Sequence, residues 1–162
     1  MNYRIVELED LSGDQATIYS IIESDNDDTA FEQFIAEHHT AYENEILDIV
    51  NRIDSIGKVV GARDHFFKHN EGKPGDLVCA LYDKPGRHLR LYCIRFGSVA
   101  IILGGGGPKN TRSWQEDEKL SQEVRKMMKV SEDIANRLRD GSLYWTEDGM
   151  ELIGDLNFED DE

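Results

Sequence analysis

Proline is scarce in this chain, at 3 of 162 residues, and cysteine is scarcer, at 2. Cys79 and Cys93 are too few for a disulfide scaffold and form no C-x-x-C pair, so both read as reduced, small hydrophobes in a reducing compartment. No apolar run approaches the ~20 residues that a membrane-crossing helix needs. The opening MNYRIVELED is too polar for a signal peptide, and the expected location is the cytoplasm, away from any membrane. Basic residues are also in short supply: 18 Lys and Arg stand against 33 Asp and Glu, a net charge of −15 that argues against nucleic-acid binding. What is present is 39% apolar and 9% aromatic residues, enough for one core, which excludes a wholly disordered chain. A domain of this size buries about 70% of its unfolded surface and needs no metal or disulfide to fold.

The net charge conceals a division. Residues 1–57 carry 2 basic and 14 acidic side chains, residues 58–112 carry 10 and 4, and residues 113–162 carry 6 and 15. A basic centre therefore lies between two acidic flanks, and any function has to account for that arrangement.

Alternation at Tyr3, Ile5, Val6 and Leu8 predicts a strand, and the β-formers of Ala16 to Ile22 predict its hairpin partner across the turn Leu11-Ser12-Gly13-Asp14. Asp27 or Asp28 is the expected N-cap of a helix carrying Phe31, Phe34 and Ile35 and ending near His38 or His39. A second helix from about Tyr42 places Ile46, Leu47, Ile49, Val50, Ile53 and Ile56 in its apolar stripe, with Gly57 as its stop. Residues 59–75 read as an exposed basic loop with a helical turn near Phe66-Phe67. Three short strands follow, Leu77 to Tyr82, Leu89 to Arg95 and Val99 to Leu103, parted by Lys84-Pro85-Gly86 and Phe96-Gly97-Ser98. Gly104 to Gly107 and Pro108 are expected to end that sheet. A long helix from about Trp114 to Leu138, a hairpin of Leu143 to Trp145 with Met150 to Ile153, and a disordered acidic tail over 157–162 complete the chain. The expected organisation is one α+β domain over 1–140 with 1–23 as an added hairpin, then a small hairpin and tail over 141–162.

An odd number of turn residues around Pro85-Gly86 would place Leu77, Cys79 and Leu81 on one face with Leu89, Leu91 and Cys93. An even number would mix Arg90 with the leucines and bury a guanidinium, which is the costlier arrangement. The odd register leaves Tyr82, Arg90 and Tyr92 on an exposed face, bordered by Lys73, Arg87, Arg95 and Lys109. Such a basic-aromatic surface can hold RNA phosphates and stack bases, and metal-free RNA cleavage needs just these groups: cations for the charge on phosphorus and a tuned Tyr, Lys or His for the proton. The alternative is that these cations pair with the acidic flanks of the same chain.

Other motifs carry less. Gly104-Gly105-Gly106-Gly107-Pro108-Lys109-Asn110-Thr111 fails the phosphate-loop spacing and reads as a flexible strand-to-helix connection, or as backbone amides approaching a phosphate. His65 and His69 sit four apart without a convincing third ligand, so no metal is expected. His88, in a turn beside Arg87 and Arg90, is a better candidate for acid–base work, with a solvated turn histidine as the alternative and more usual reading.

The run Leu89-Arg90-Leu91-Tyr92-Cys93-Ile94-Arg95-Phe96-Gly97, the apolar strand Val99 to Leu103, the turn with Lys109-Asn110-Thr111 and the charged helix after it resemble the RelE/ParE toxin superfamily, specifically its HigB-like branch. The likeness spans about residues 30–130. It implies a RelE-like α+β fold in which an antiparallel meander packs against two N-terminal helices and one C-terminal helix. It also implies a toxin of a toxin–antitoxin pair that cleaves mRNA on the ribosome without metal or cofactor, with an antitoxin protein as partner. Arg90, Arg95 and Lys109 match the family pattern; with Tyr92 they form the expected catalytic set, and Lys73, Tyr82, Arg87, His88 and Arg112 the expected RNA-binding set. The family is usually basic, whereas this chain is acidic, and residues 155–162 are a candidate built-in phosphate mimic. A non-catalytic protein-binding module that keeps the toxin fold and presents an acidic surface is the alternative.

Overall fold

The structure is a computed structural model that describes residues 1–69, 71–73, 75–81, 87–109 and 114–160. The alternating residues at the start form β1 (Tyr3–Glu7), paired antiparallel with β2 (Thr17–Glu23), so that Tyr3 faces Glu23 and Glu7 faces Tyr19. The next element, α1 (Ala30–His38), is capped by Thr29 rather than by Asp27 or Asp28. The reason is reciprocal: the Glu32 amide donates to Thr29 Oγ1 at 3.1 Å, and the Thr29 amide donates to Glu32 Oε1 at 3.1 Å. In α2 (Glu43–Ser55) the buried stripe is Glu45, Ile46, Ile49 and Ile53. Gly57 does not stop this helix; a π-turn over Ile56–Val60 extends it to Gly61, whose φ of 78° ends it. Gly57 serves close approach instead, its carbonyl accepting the Gln15 and Ala16 amides at 2.9 and 3.1 Å.

A 3₁₀ turn at Asp64–Phe66 leads into β3 (Phe67–Lys68), then β4 (Val78–Leu81), β5 (Leu89–Phe96) and β6 (Ala100–Pro108). The β4–β5 register pairs Val78 with Ile94, Cys79 with Cys93 and Ala80 with Tyr92, the parity expected from an odd turn. Lys84-Pro85-Gly86 itself lies outside the described residues. Cys79, Leu81, Leu89, Leu91 and Cys93 share one buried layer with Phe31, Phe34, Ile46, Ile49 and Ile53. Leu77, expected in that layer, is exposed instead, at a φ of 65°.

The chain then forms a 3₁₀ turn at Trp114–Glu116 and α3 (Glu118–Asp140), with Asp117 accepting the Leu120 amide at 3.0 Å and Gly141, at a φ of 86°, closing the helix. A hairpin of β7 (Leu143–Trp145) and β8 (Leu152–Gly154) follows. The expected disordered tail is replaced over its first residues by β9 (Asn157–Phe158), which pairs with β1. Burial explains the difference: Phe158 stacks on Tyr3 with ring centres 4.7 Å apart, and the Arg137 guanidinium lies 3.8 Å over its other side.

The main sheet is mixed and seven-stranded, in the order β3-β4-β5-β6-β2-β1-β9. β2 lies parallel to β6 in its interior, so the N-terminal hairpin is part of the sheet. This is an α+β fold with helices on both faces. α1 and α2 cover the Leu/Cys layer, while Leu120, Val124, Met127, Val130 and Ile134 of α3 cover the opposite one, which includes Tyr92 and Ile94. Among the described residues the open basic-aromatic sheet face expected from the sequence is therefore not formed: Tyr92 is 1% exposed.

Gly104 to Gly107 do not end the sheet; they form the second half of β6. Leu91 pairs with Gly106 and Cys93 with Leu103, so Tyr92 alone faces the bulged pair Gly104-Gly105. A Cβ on Gly104 would overlap Met127, and one on Gly105 would stand 2.7 Å from the Glu123 carboxylate, both on α3. Missing side chains are what let this helix lie close to a central strand.

Candidate functional site

The start of β5 and the end of β6 form one corner of the sheet. Leu89 pairs with Pro108, Arg90 with Gly107, and the Lys109 amide donates to the His88 carbonyl at 2.8 Å. This pairing assembles four of the predicted residues, Arg87, His88, Arg90 and Lys109, at a single place.

Glu45 of α2 organises the corner. It is 8% exposed, and its Oε1 accepts the backbone amides of His88 at 2.6 Å and Leu89 at 3.1 Å. Oε2 lies 3.3 Å from His88 Nδ1. Burial favours the neutral acid, but the amides of Leu89 and His88 and the His88 ring outweigh it and hold the carboxyl below the usual range. The carboxylate therefore fixes His88 with Nδ1 turned inward, which leaves Nε2 for proton transfer. The ring itself is 60% exposed and lies against Tyr42 with centres 5.9 Å apart.

The backbone pairing of Lys109 with His88 brings a cationic group to the same corner. Lys109 is half-buried; burial first, then the charges of Lys68 and Arg90, lower its ammonium pKa, while Glu71 opposes them. Glu71 is buried, with Lys68 Nζ 3.6 Å from its Oε1. Tyr92 lies in the same neighbourhood but inside the core, where burial, with Glu71 next, drives its hydroxyl pKa upward. Arg87 pairs with Asp48 of α2, and Lys119 at the start of α3 reaches Glu37 of α1 at 3.0 Å.

Two predicted residues lie elsewhere. Arg95 is five residues along β5 from Arg90, about 16 Å at ~3.3 Å per residue. Its Nε donates to the Ala62 carbonyl at 2.7 Å and its guanidinium lies 5.8 Å from the Phe67 ring centre, so it ties a loop to the strand. Lys73 is exposed in the loop before β4, where its amide donates to Asp76 at 2.7 Å. Tyr82, Arg112, Asn110 and Thr111 lie outside the described residues. No group of three or more His, Cys, Asp or Glu among the described residues is arranged to hold a metal ion. His69 instead meets the Asp64 carboxylate at 2.9 Å. No helix among the described residues is long and apolar enough to cross a membrane.

Sequence reasoning missed Glu45, Lys68, Glu71 and Lys119. Glu45 did leave a signal: it stands four residues before Ile49 and eight before Ile53, an acid in the apolar stripe of α2. Comparison of the chain with protein-family models, with curated proteins and with solved structures finds no match in any of the three.

Proposed function

We propose that this chain is a RelE/HigB-like toxin, a ribosome-dependent endoribonuclease that cleaves mRNA without a metal ion. The observation that carries the reading is the carboxylate-held His88 at the corner of the sheet where strand pairing also brings the backbones of Arg90 and Lys109. The α+β fold, with the order β2, α1, α2, β4, β5, β6, α3 within it, supports the reading.

In this mechanism His88 Nε2 takes the proton from a ribose 2′-hydroxyl while Glu45 holds the ring and stabilises the imidazolium. The 2′-oxygen forms a bond to phosphorus, and Arg90 offsets the negative charge that builds on the phosphoryl oxygens. The bond from phosphorus to the 5′-oxygen breaks, and Lys109, whose ammonium is made more acidic by its setting, protonates the leaving oxygen. The products are a 2′,3′-cyclic phosphate and a free 5′-hydroxyl. Tyr92 and Arg95 have no part in these steps.

The test is cleavage of a translated reporter mRNA in a cell-free system. Wild type should produce discrete cuts with 2′,3′-cyclic phosphate ends, and His88→Ala should reduce cutting about 10²- to 10⁴-fold. Uncut mRNA with wild-type protein would leave the protein-binding module as the reading.

A further inference from the structure

Arg87, His88 and Lys119 at the sheet corner are matched to carboxylates from α1 and α2, and the matches differ in kind. Glu45 is deeply buried and satisfies two backbone amides, so removing it from His88 would strand those donors. The pairs Arg87–Asp48 and Lys119–Glu37 are open to solvent, at 30% and 38% side-chain exposure for the first and 44% and 50% for the second. Ion pairs this exposed contribute little to stability. A phosphate, with a fuller charge and more acceptor oxygens, can displace such a carboxylate at small cost.

The described part of the C-terminal segment, up to Asp160, lies away from this corner. β9 lies four strands from β5 in the sheet, about 19 Å at ~4.8 Å per strand. There the Asn157 carbonyl accepts Arg137 Nη1 at 2.5 Å and the Asp160 carboxylate pairs with the chain's first amino group.

We infer that Asp48 and Glu37 occupy two phosphate subsites of an RNA path, on Arg87 and Lys119, and that RNA binds by displacing them. The inference rests on the RNA-cleaving reading above and adds to it where the strand runs and what restrains its binding. It also gives the charge division of the chain a role: the acidic first third folds against the basic centre and holds its phosphate sites closed. Lys119 lies outside the basic centre in sequence and joins it where the start of α3 passes Gly107, the partner of Arg90 in the sheet.

The probe is a fluorescein-labelled single-stranded RNA 12-mer, with affinity read by anisotropy between 0.05 and 0.3 M salt. The proteins are the full chain and its Asp48→Asn, Glu37→Gln and Glu43→Gln variants. Glu43 supplies the control, because it is exposed on α2 and makes no ion pair among the described residues. Asp48→Asn and Glu37→Gln should each bind severalfold more tightly than Glu43→Gln at low salt. Each released cation should steepen the log–log salt slope by about 0.7. Adding Arg87→Ala to Asp48→Asn should abolish that variant's gain. RNA binding with equal affinity and slope in all three acidic variants would overturn the displacement while leaving the function standing. No RNA binding by any protein at the lowest salt would overturn both.

Discussion

Glu45 and His88 meet across 43 residues of sequence, the carboxylate accepting the His88 amide at 2.6 Å while its second oxygen faces the ring of the same residue. One side chain thus fixes both the backbone at the entry to β5 and the orientation of a histidine. It joins α2 to the sheet at the point where the cations gather.

The stability of this contact should depend on pH in a defined sense. The folded-state pKa of Glu45 is lowered, so its contribution is complete above the unfolded value of about 4.3 and is lost as pH falls through the folded one. Urea unfolding should place Glu45→Ala about 1–3 kcal/mol below wild type at pH 7, because two amides lose their acceptor. Between wild type and Glu45→Gln, the gap at pH 7 should close in acid. A gap of constant size down to pH 3 would contradict the assignment.

His38 should make the fold acid-sensitive at higher pH. It is buried at the end of α1, and its Nε2 has no hydrogen-bond partner among the described residues. Phe34 and Tyr42 flank the ring, the Gly106 backbone contacts it, and Glu37 and Lys119 exert opposite charge effects on it. Burial dominates and lowers its pKa, so the unfolded chain takes up a proton first and stability falls as pH drops below about 6.5. His38→Gln should remove that slope from urea midpoints measured between pH 7 and pH 5, even if it lowers them all.

Two neighbouring glycines should respond differently to the same change. A Cβ on Gly106 would overlap the Arg90 backbone carbonyl, whereas one on Gly107 meets nothing nearer than 3.6 Å. Gly106→Ala should lose at least about 1–3 kcal/mol because the strand pair itself must move, and Gly107→Ala should stay within ~1 kcal/mol of wild type. Equal melting temperatures for the two would show that the bulge in β6 yields freely.

Arg90 and Arg95, similar in sequence setting, should separate by assay. Arg95→Ala removes the donor to the Ala62 carbonyl and should lower stability by about 1–2 kcal/mol, with cleavage per folded molecule unchanged. Arg90→Ala should reduce cleavage by about 10²-fold or more. Loss of cleavage in a fully folded Arg95→Ala protein would return that residue to the site.

By itself, the sequence determined β1, the three helices and the register of the meander. Alternation marked β1, the apolar stripes marked α1, α2 and α3, and the cost of burying Arg90 selected the register that pairs Cys79 with Cys93. These are consequences of local period and of burial, which each segment carries in its own residues. Only the tertiary structure decided what covers each face and what meets at the corner. Four glycines read locally as the end of a strand, because the lack of side chains at Gly104 and Gly105 acquires its meaning from Met127 and Glu123 on a helix formed later in the chain. Once α3 lies over them, Tyr92 is core, and the predicted residues that meet among the described ones do so at the corner where β5 begins. There His88 acquires its orientation from Glu45, and Lys119 its place beside Glu37, through packing between distant segments that no local period records.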